Sequence, residues 1–167
     1  FPWLTEHPSA DVPAFNCPAS KLVALMGELV AKHGFAILSD LTAVDWGMGA
    51  APRFTCFYHL FSPARSAYLR IASDCGGAEE PVMPSVTGLW GGANWLEREA
   101  YDMFGITFEG HPDLRRILMW DNYPYHPLRK EFPLAGLPAP LPGEDPIAEE
   151  MIGGRTQVAP MAGGPFT

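Results

Sequence analysis

Proline placement limits this chain more than any other feature. Nine of its eighteen prolines fall in residues 119–167. Proline lacks the N–H that a helix or a central strand needs, so that segment can continue neither. Yet Trp120, Tyr123, Tyr125, Leu128, Phe132, Leu134 and Leu137 punctuate its first half, and disordered segments are poor in such residues. The two facts reconcile as an extended arm, residues 119–167, whose side chains anchor in grooves of its own domain or of a partner. Glu144, Asp145, Glu149 and Glu150 are expected to be solvated, and Gly153-Gly154 and Gly163-Gly164 to loosen the end. Pro2, Pro8, Pro13 and Pro18 make residues 1–18 a second extended arm. Regular structure is thereby directed to residues 19–118.

Within that span the apolar pattern changes period. Leu22, Leu25, Met26, Leu29 and Val30 recur at helical spacing from Ala19, with Pro18 suited to the first turn and Gly34 to the stop. Three β-prone runs follow, Leu41–Trp46, Arg53–Phe61 and Ala67–Ala72, separated by short turns that favour antiparallel order. His59 lies inside the aromatic run with no potential ligand near it, and is expected to be a hydrogen-bonded sheet histidine. Ser85–Trp90 suggests a short helix or turn. A second helix is predicted over Asn94–Phe104, with Asn94 as N-cap, Gly105 as the left-handed stop, and a short strand at Ile106–Phe108. The fold class is α+β: a two-layer domain with a mainly antiparallel or mixed sheet and two main helices, followed by the long C-terminal arm.

Charge narrows the partners. Eleven Lys and Arg against nineteen Asp and Glu give a net −8, which argues against nucleic acid as the main partner. Cys17, Cys56 and Cys75 are scattered, which suggests buried thiols in a reducing compartment and supplies no clustered ligand set for an iron–sulfur centre or structural zinc. No run of about twenty apolar residues spans a bilayer. The first residue is Phe, so the native start is expected to lie elsewhere, and no basic region followed by an apolar run marks a signal peptide.

The chemistry-bearing residues crowd into one stretch. Glu97, Arg98, Glu99 and Asp102 share the second helix, and after Gly105 the chain presents His111-Pro112-Asp113-Leu114-Arg115-Arg116. A catalytic nest would use Glu97, Glu99 or Asp102 as acid or base, assisted by His111, with Arg115 or Arg116 holding an anion. No nucleophile elbow, phosphate loop or H-E-x-x-H pair accompanies it. Glu99, Asp102 and His111 have the donor types of a metal site but a weakly diagnostic spacing. An ion-paired joint would set the carboxylates against Arg98, Arg115 or Arg116, Arg98 and Asp102 standing at i, i+4. The joint is preferred, with no catalytic, cofactor-binding or metal residue assigned to this chain.

The same residues carry a resemblance. Ala93-Asn94-Trp95-Leu96-Glu97-Arg98-Glu99, Asp102, Gly105, His111-Pro112-Asp113-Leu114-Arg115-Arg116-Ile117-Leu118 and Pro127-Leu128-Arg129-Lys130 resemble the signature of the C-type subunit of proton-pumping NADH:quinone oxidoreductase, respiratory complex I. Leu41–Trp46 and Pro84-Ser85 are similar to weaker landmarks of that family, and the resemblance covers about residues 20–134. Tyr123-Pro124-Tyr125-His126 departs from many members. The resemblance implies a hydrophilic component of the peripheral arm, on the cytoplasmic face of the bacterial inner membrane. It implies packing, in a hetero-oligomer, against iron–sulfur subunits and against the D-type subunit that helps form the quinone site. The iron–sulfur clusters, FMN and quinone would then lie in partner subunits. Related membrane-bound hydrogenase complexes use a similar component, and a free-standing acid–base enzyme using Glu99, Asp102 and His111 is the reading from another class.

Overall fold

Apolar spacing places the first helix where the sequence directs it. A computed structural model of the chain describes residues 1–140; the acidic stretch 144–150 and the glycine pairs beyond it lie outside the described residues. Helix α1 (Ala19–His33) buries Leu22, Leu25, Met26 and Leu29, and Gly34 ends it at φ 74°. Pro18 stands one residue before the helix in extended geometry.

Five strands form the main sheet: β1 (Thr5–Glu6), β2 (Ala14–Asn16), β3 (Ile37–Asp45), β4 (Phe54–Ser62) and β5 (Ala67–Asp74), in the order β1-β2-β5-β4-β3. The expected antiparallel meander is β3, β4 and β5, with Leu41 opposite Tyr58 and Tyr58 opposite Ile71. Strand β3 begins earlier than Leu41, across a register irregularity at Leu38 and Asp40. Residues 1–18 are extended, but two pieces of them pair into the sheet. Strand β2 runs parallel to β5, and β1 is antiparallel to β2. Their prolines fall outside both strands, so Thr5–Glu6 and Ala14–Asn16 keep the N–H groups that pairing uses.

Helix α2 (Ala93–Phe104) is bracketed by Gly92 and Gly105. Gly92, not Asn94, is its N-cap, and Asn94 lies within the first turn because the helix starts two residues earlier than an Asn94 cap would set it. Two short strands, β6 (Val82–Pro84) and β7 (Thr107–Glu109), pair in parallel as a second sheet. Ser85–Trp90 is a turn between β6 and α2.

The inward side of β4 and β5, with Phe54, Cys56, Tyr58, Leu60 and Ile71, meets the buried stripe of α1 and the underside of α2 in one core. Each large side chain so enclosed contributes roughly 1.5–3 kcal/mol relative to exposure. All three cysteines are free and buried. On the other side of the sheet His59 is half-buried and accepts a hydrogen bond from Arg70 Nε at 3.1 Å. Burial first, then the Arg70 charge, holds its pKa below the usual histidine value. It is the hydrogen-bonded sheet histidine expected.

Candidate functional site

Helix α2 places Asp102 where nothing reaches it but protein. Its carboxylate is wholly buried, and Oδ2 accepts backbone N–H groups from Ile117, Leu118 and Met119 at 3.0, 2.7 and 2.8 Å. Oδ1 pairs with the guanidinium of Arg116. Burial works to raise the Asp102 pKa, but the three amides and Arg116 outweigh it and hold the group below the ordinary carboxylate range. Arg116 also donates to the Tyr125 carbonyl at 3.1 Å and lies over the Tyr123 ring.

The i, i+4 pair expected between Arg98 and Asp102 does not form. Both carboxylate oxygens are already taken by the loop, and Arg98 instead donates to the carbonyls of Arg115 at 3.0 Å and Arg116 at 2.8 Å. The Arg115 side chain is largely exposed and, among the described residues, pairs with its neighbour Asp113 alone. So the arginine pair expected to brace the joint divides, Arg116 inward and Arg115 outward.

The other acids diverge. Glu97 is wholly buried on the core side of α2, where Oε1 accepts the Val86 N–H at 2.7 Å. Burial pushes its pKa up to about 7, against the pull of that amide. No arginine meets it among the described residues. Glu99 is exposed. His111 has both ring nitrogens committed: Nδ1 accepts the Asp113 N–H at 3.0 Å, which makes Nε2 the donor to the Asn94 carbonyl at 3.2 Å. Pro112 is exposed beside it, and Leu114 packs on the core. Glu99, Asp102 and His111 therefore do not converge, and among the described residues no three His, Cys, Asp or Glu side chains are grouped to hold a metal ion.

What the arrangement does is finish a helix. The last carbonyls of an α-helix have no partner within it and form its negative end. Here Gly105 N–H takes the Tyr101 carbonyl. His126 Nδ1–H donates to the Asp102 carbonyl at 2.9 Å, Leu128 N–H to Met103 at 3.0 Å, and Arg129 Nε to Phe104 at 2.6 Å. Helix α2 has no basic residue in its own last turn; the segment Pro127-Leu128-Arg129-Lys130 brings the Arg129 guanidinium to it, while burial holds the His126 pKa below the usual histidine value and so favours a neutral ring as the donor there. Desolvation holds the Arg129 pKa below its usual value, while its guanidinium reaches the Glu79 carbonyl and the Phe54 ring face.

Two residues of this junction were not marked as functional by the sequence. Asp45 closes β3 and is almost fully buried. It accepts from Gly47 N–H at 2.9 Å, from Arg53 Nε at 3.2 Å and Nη2 at 3.1 Å, and from Lys130 N–H at 2.8 Å. Arg53 also pairs with Glu131. An aspartate ending one strand and an arginine opening the next was the available signal.

Gly105 serves the junction twice. It adopts φ +75°, and a Cβ there would stand 2.5 Å from Arg129 Nη2 and 2.7 Å from the His126 ring. Gly105→Ala is expected to cost at least about 1–2 kcal/mol from left-handed strain and to loosen the tail. Thermal melting reads the first effect, and faster protease cleavage between His126 and Glu131 reads the second.

Known proteins share both this sequence and this fold. Residues 15–138 match the family described as respiratory-chain NADH dehydrogenase, 30 kDa subunit. The NADH-quinone oxidoreductase C-type subunit from Moorella thermoacetica is 47 % identical over 134 residues, which is 80 % of this chain and 88 % of that protein. A Sulfurihydrogenibium protein, named as both the C and the D component of NADH-quinone oxidoreductase, is 48 % identical over 106 residues. That is 64 % of this chain but only 18 % of the longer protein. A chain from the structure of the membrane-bound sulfane sulfur reductase, an archaeal respiratory membrane complex, shares the fold at TM-score 0.68 and 19 % identity, covering 98 % of this chain and 91 % of that one. Among the described residues no helix is long and apolar enough to cross a membrane. Signature, fold and sequence relatives agree, and the chain belongs to the 30 kDa subunit family of respiratory NADH dehydrogenase, the C-type subunit family of complex I.

Proposed function

We propose that the chain is a non-catalytic assembly subunit in the peripheral arm of a proton-translocating NADH:quinone oxidoreductase, on the cytoplasmic face of a bacterial inner membrane. It packs there against the D-type, quinone-site subunit and the iron–sulfur subunits. The iron–sulfur clusters, FMN and quinone belong to those partners, and this chain contributes shape. The observation that carries this is the use made of Asp102: the central acid of the signature is spent on three amides and an arginine of its own chain. A carboxylate so saturated has no lone pair directed at a substrate. The Sulfurihydrogenibium protein, named for the C and D components together, supports the D-type subunit as the neighbour.

The test is a tagged chain purified from its native membranes in mild detergent. The D-type and iron–sulfur subunits should travel with it, and deleting the chain should abolish NADH:quinone activity. A chain that migrates alone and turns over a substrate by itself would reverse the proposal. Travel with a hydrogenase-type large subunit and no NADH-oxidising module would assign it to the related complexes.

A further inference from the structure

Sequence scatters the cysteines, and the fold brings two of them together. Cys56 and Cys75 are 19 residues apart in the chain. Thr55 stands opposite Asp74 in the β4–β5 pair, and the Cys75 N–H donates to the Phe54 carbonyl at 2.9 Å, so the pairing continues just past β5. Cys75 therefore lies diagonal to Cys56 on the inward side of the sheet, within side-chain reach across the strands. Their sulfurs are 3.6 Å apart, one thiol donating to the other. That is about 1.5 Å beyond the length of a disulfide bond. Cys56 is wholly enclosed, while Cys75 keeps 9 % of its surface exposed shortly before the bend at 78–80.

The surroundings decide what two sulfurs so placed become. Contact with Cys75 first, then burial, then the Glu97 carboxylate push the Cys56 pKa well up. A metal ion would need both sulfurs as thiolates, two negative charges in an apolar core with an acid already nearby. A disulfide is neutral and forms where the sulfurs stand. Sulfinic and sulfonic acids, the further products of thiol oxidation, would set an anion among Phe54, Tyr58 and Ile71. Cys17 is differently held: its Sγ donates to the Pro18 carbonyl at 3.4 Å, and burial lifts its pKa to about 11.

We propose that Cys56 and Cys75 form a reversible intrachain disulfide when the chain meets a peroxide, and that the pair halts oxidation of the core at that step. Cys75, the less enclosed sulfur, attacks one oxygen of hydrogen peroxide; the O–O bond breaks, and the other oxygen leaves as water with the thiol proton. Cys56 then attacks the resulting sulfenic sulfur, and the hydroxyl departs with the Cys56 proton as a second water. The two thiols give up two electrons in all, and the peroxide takes them. A resolving thiol already in contact outruns further oxidation, because the second step is intramolecular.

Peroxide treatment of the folded, full-length chain tests this, followed by quenching, unfolding in an alkylating reagent and peptide mapping. Met48, 75 % exposed, reports the dose as its sulfoxide. By the dose that converts Met48, a linked Cys56–Cys75 peptide should replace both alkylated ones. Cys17 should still be alkylated, and dithiothreitol should restore all three thiols. Cys56→Ala removes the resolving sulfur, so Cys75 should then proceed to sulfinic acid that dithiothreitol does not reverse. If that variant does not fold, the wild-type map decides alone. Complete Met48 oxidation with all three thiols still free would overturn the proposal. So would irreversible acids at Cys75 in the wild type, or a disulfide that involves Cys17 or joins two chains.

Discussion

Asp102→Ala should cost the fold about 3–5 kcal/mol, the range for removing one partner of a buried ion pair. The variant leaves Arg116 enclosed without a counter-charge, and it orphans the N–H groups of Ile117, Leu118 and Met119 together. Arg116→Ala should cost less, about 1–3 kcal/mol, because Asp102 keeps its three amides. The double variant should cost less than the two singles added, since each single already breaks the pair. Arg115→Ala should leave the melting temperature where it is, the side chain being exposed and, among the described residues, tied to Asp113 alone. Denaturant titration of the four proteins checks the set. Asp102 also sets an acid limb. Its pKa is lowered in the fold, so its stabilisation is present above the unfolded value and is lost as pH falls through the folded one. Wild type should therefore converge on Asp102→Ala in acid; a constant gap between them down to about pH 2 would mean that the carboxylate is not the group responsible.

Much of the architecture was legible because it rests on local period and on residues with one conformational use. Leu22, Leu25, Met26 and Leu29 could only be one face of a helix, and Gly105 could be read as a stop because little else tolerates that backbone angle. Proline misled in both directions. Pro81 and Pro84 masked β6, a strand short enough to fit between them with Pro84 as its last residue, and the prolines of residues 1–18 hid two strands that they merely flank. The arm was legible as sticky. That it should supply the missing cap of α2 was not, because the bonds from His126, Leu128 and Arg129 cross more than twenty residues of sequence and their partners are carbonyl oxygens common to every residue. The charged cluster was found but paired wrongly. Sequence spacing favours Arg98 with Asp102, yet backbone amides, which no side-chain pattern reports, reach the carboxylate first. Glu97 was the hardest to place, since an acid beside Arg98 and Glu99 looks solvated until the helix phase turns it inward.

That burial gives Glu97 a measurable signature of opposite sign to Asp102. Its pKa in the fold is about 7 against an ordinary 4.5, raised chiefly by desolvation. Between those values the folded chain holds a proton that the unfolded chain has released, so stability is fullest below about pH 4.5 and falls as pH rises through 7. At about 1.4 kcal/mol per pKa unit, the accumulated loss by pH 8 is about 3 kcal/mol. Glu97→Gln cannot ionise, and its amide oxygen can still receive the Val86 N–H that ties α2 to the turn before it. The added NH2 enters a site where Oε2 has no partner among the described residues, which carries its own cost, but that cost is the same at every pH. The quantity to follow is therefore the difference between the two proteins. From pH 5 to pH 8 it should move by about 2–3 kcal/mol in favour of the glutamine variant, read by denaturant unfolding at each pH. Parallel curves would show that Glu97 keeps its charge inside the core, and a charge kept there requires a partner that the 2.7 Å bond to Val86 does not supply.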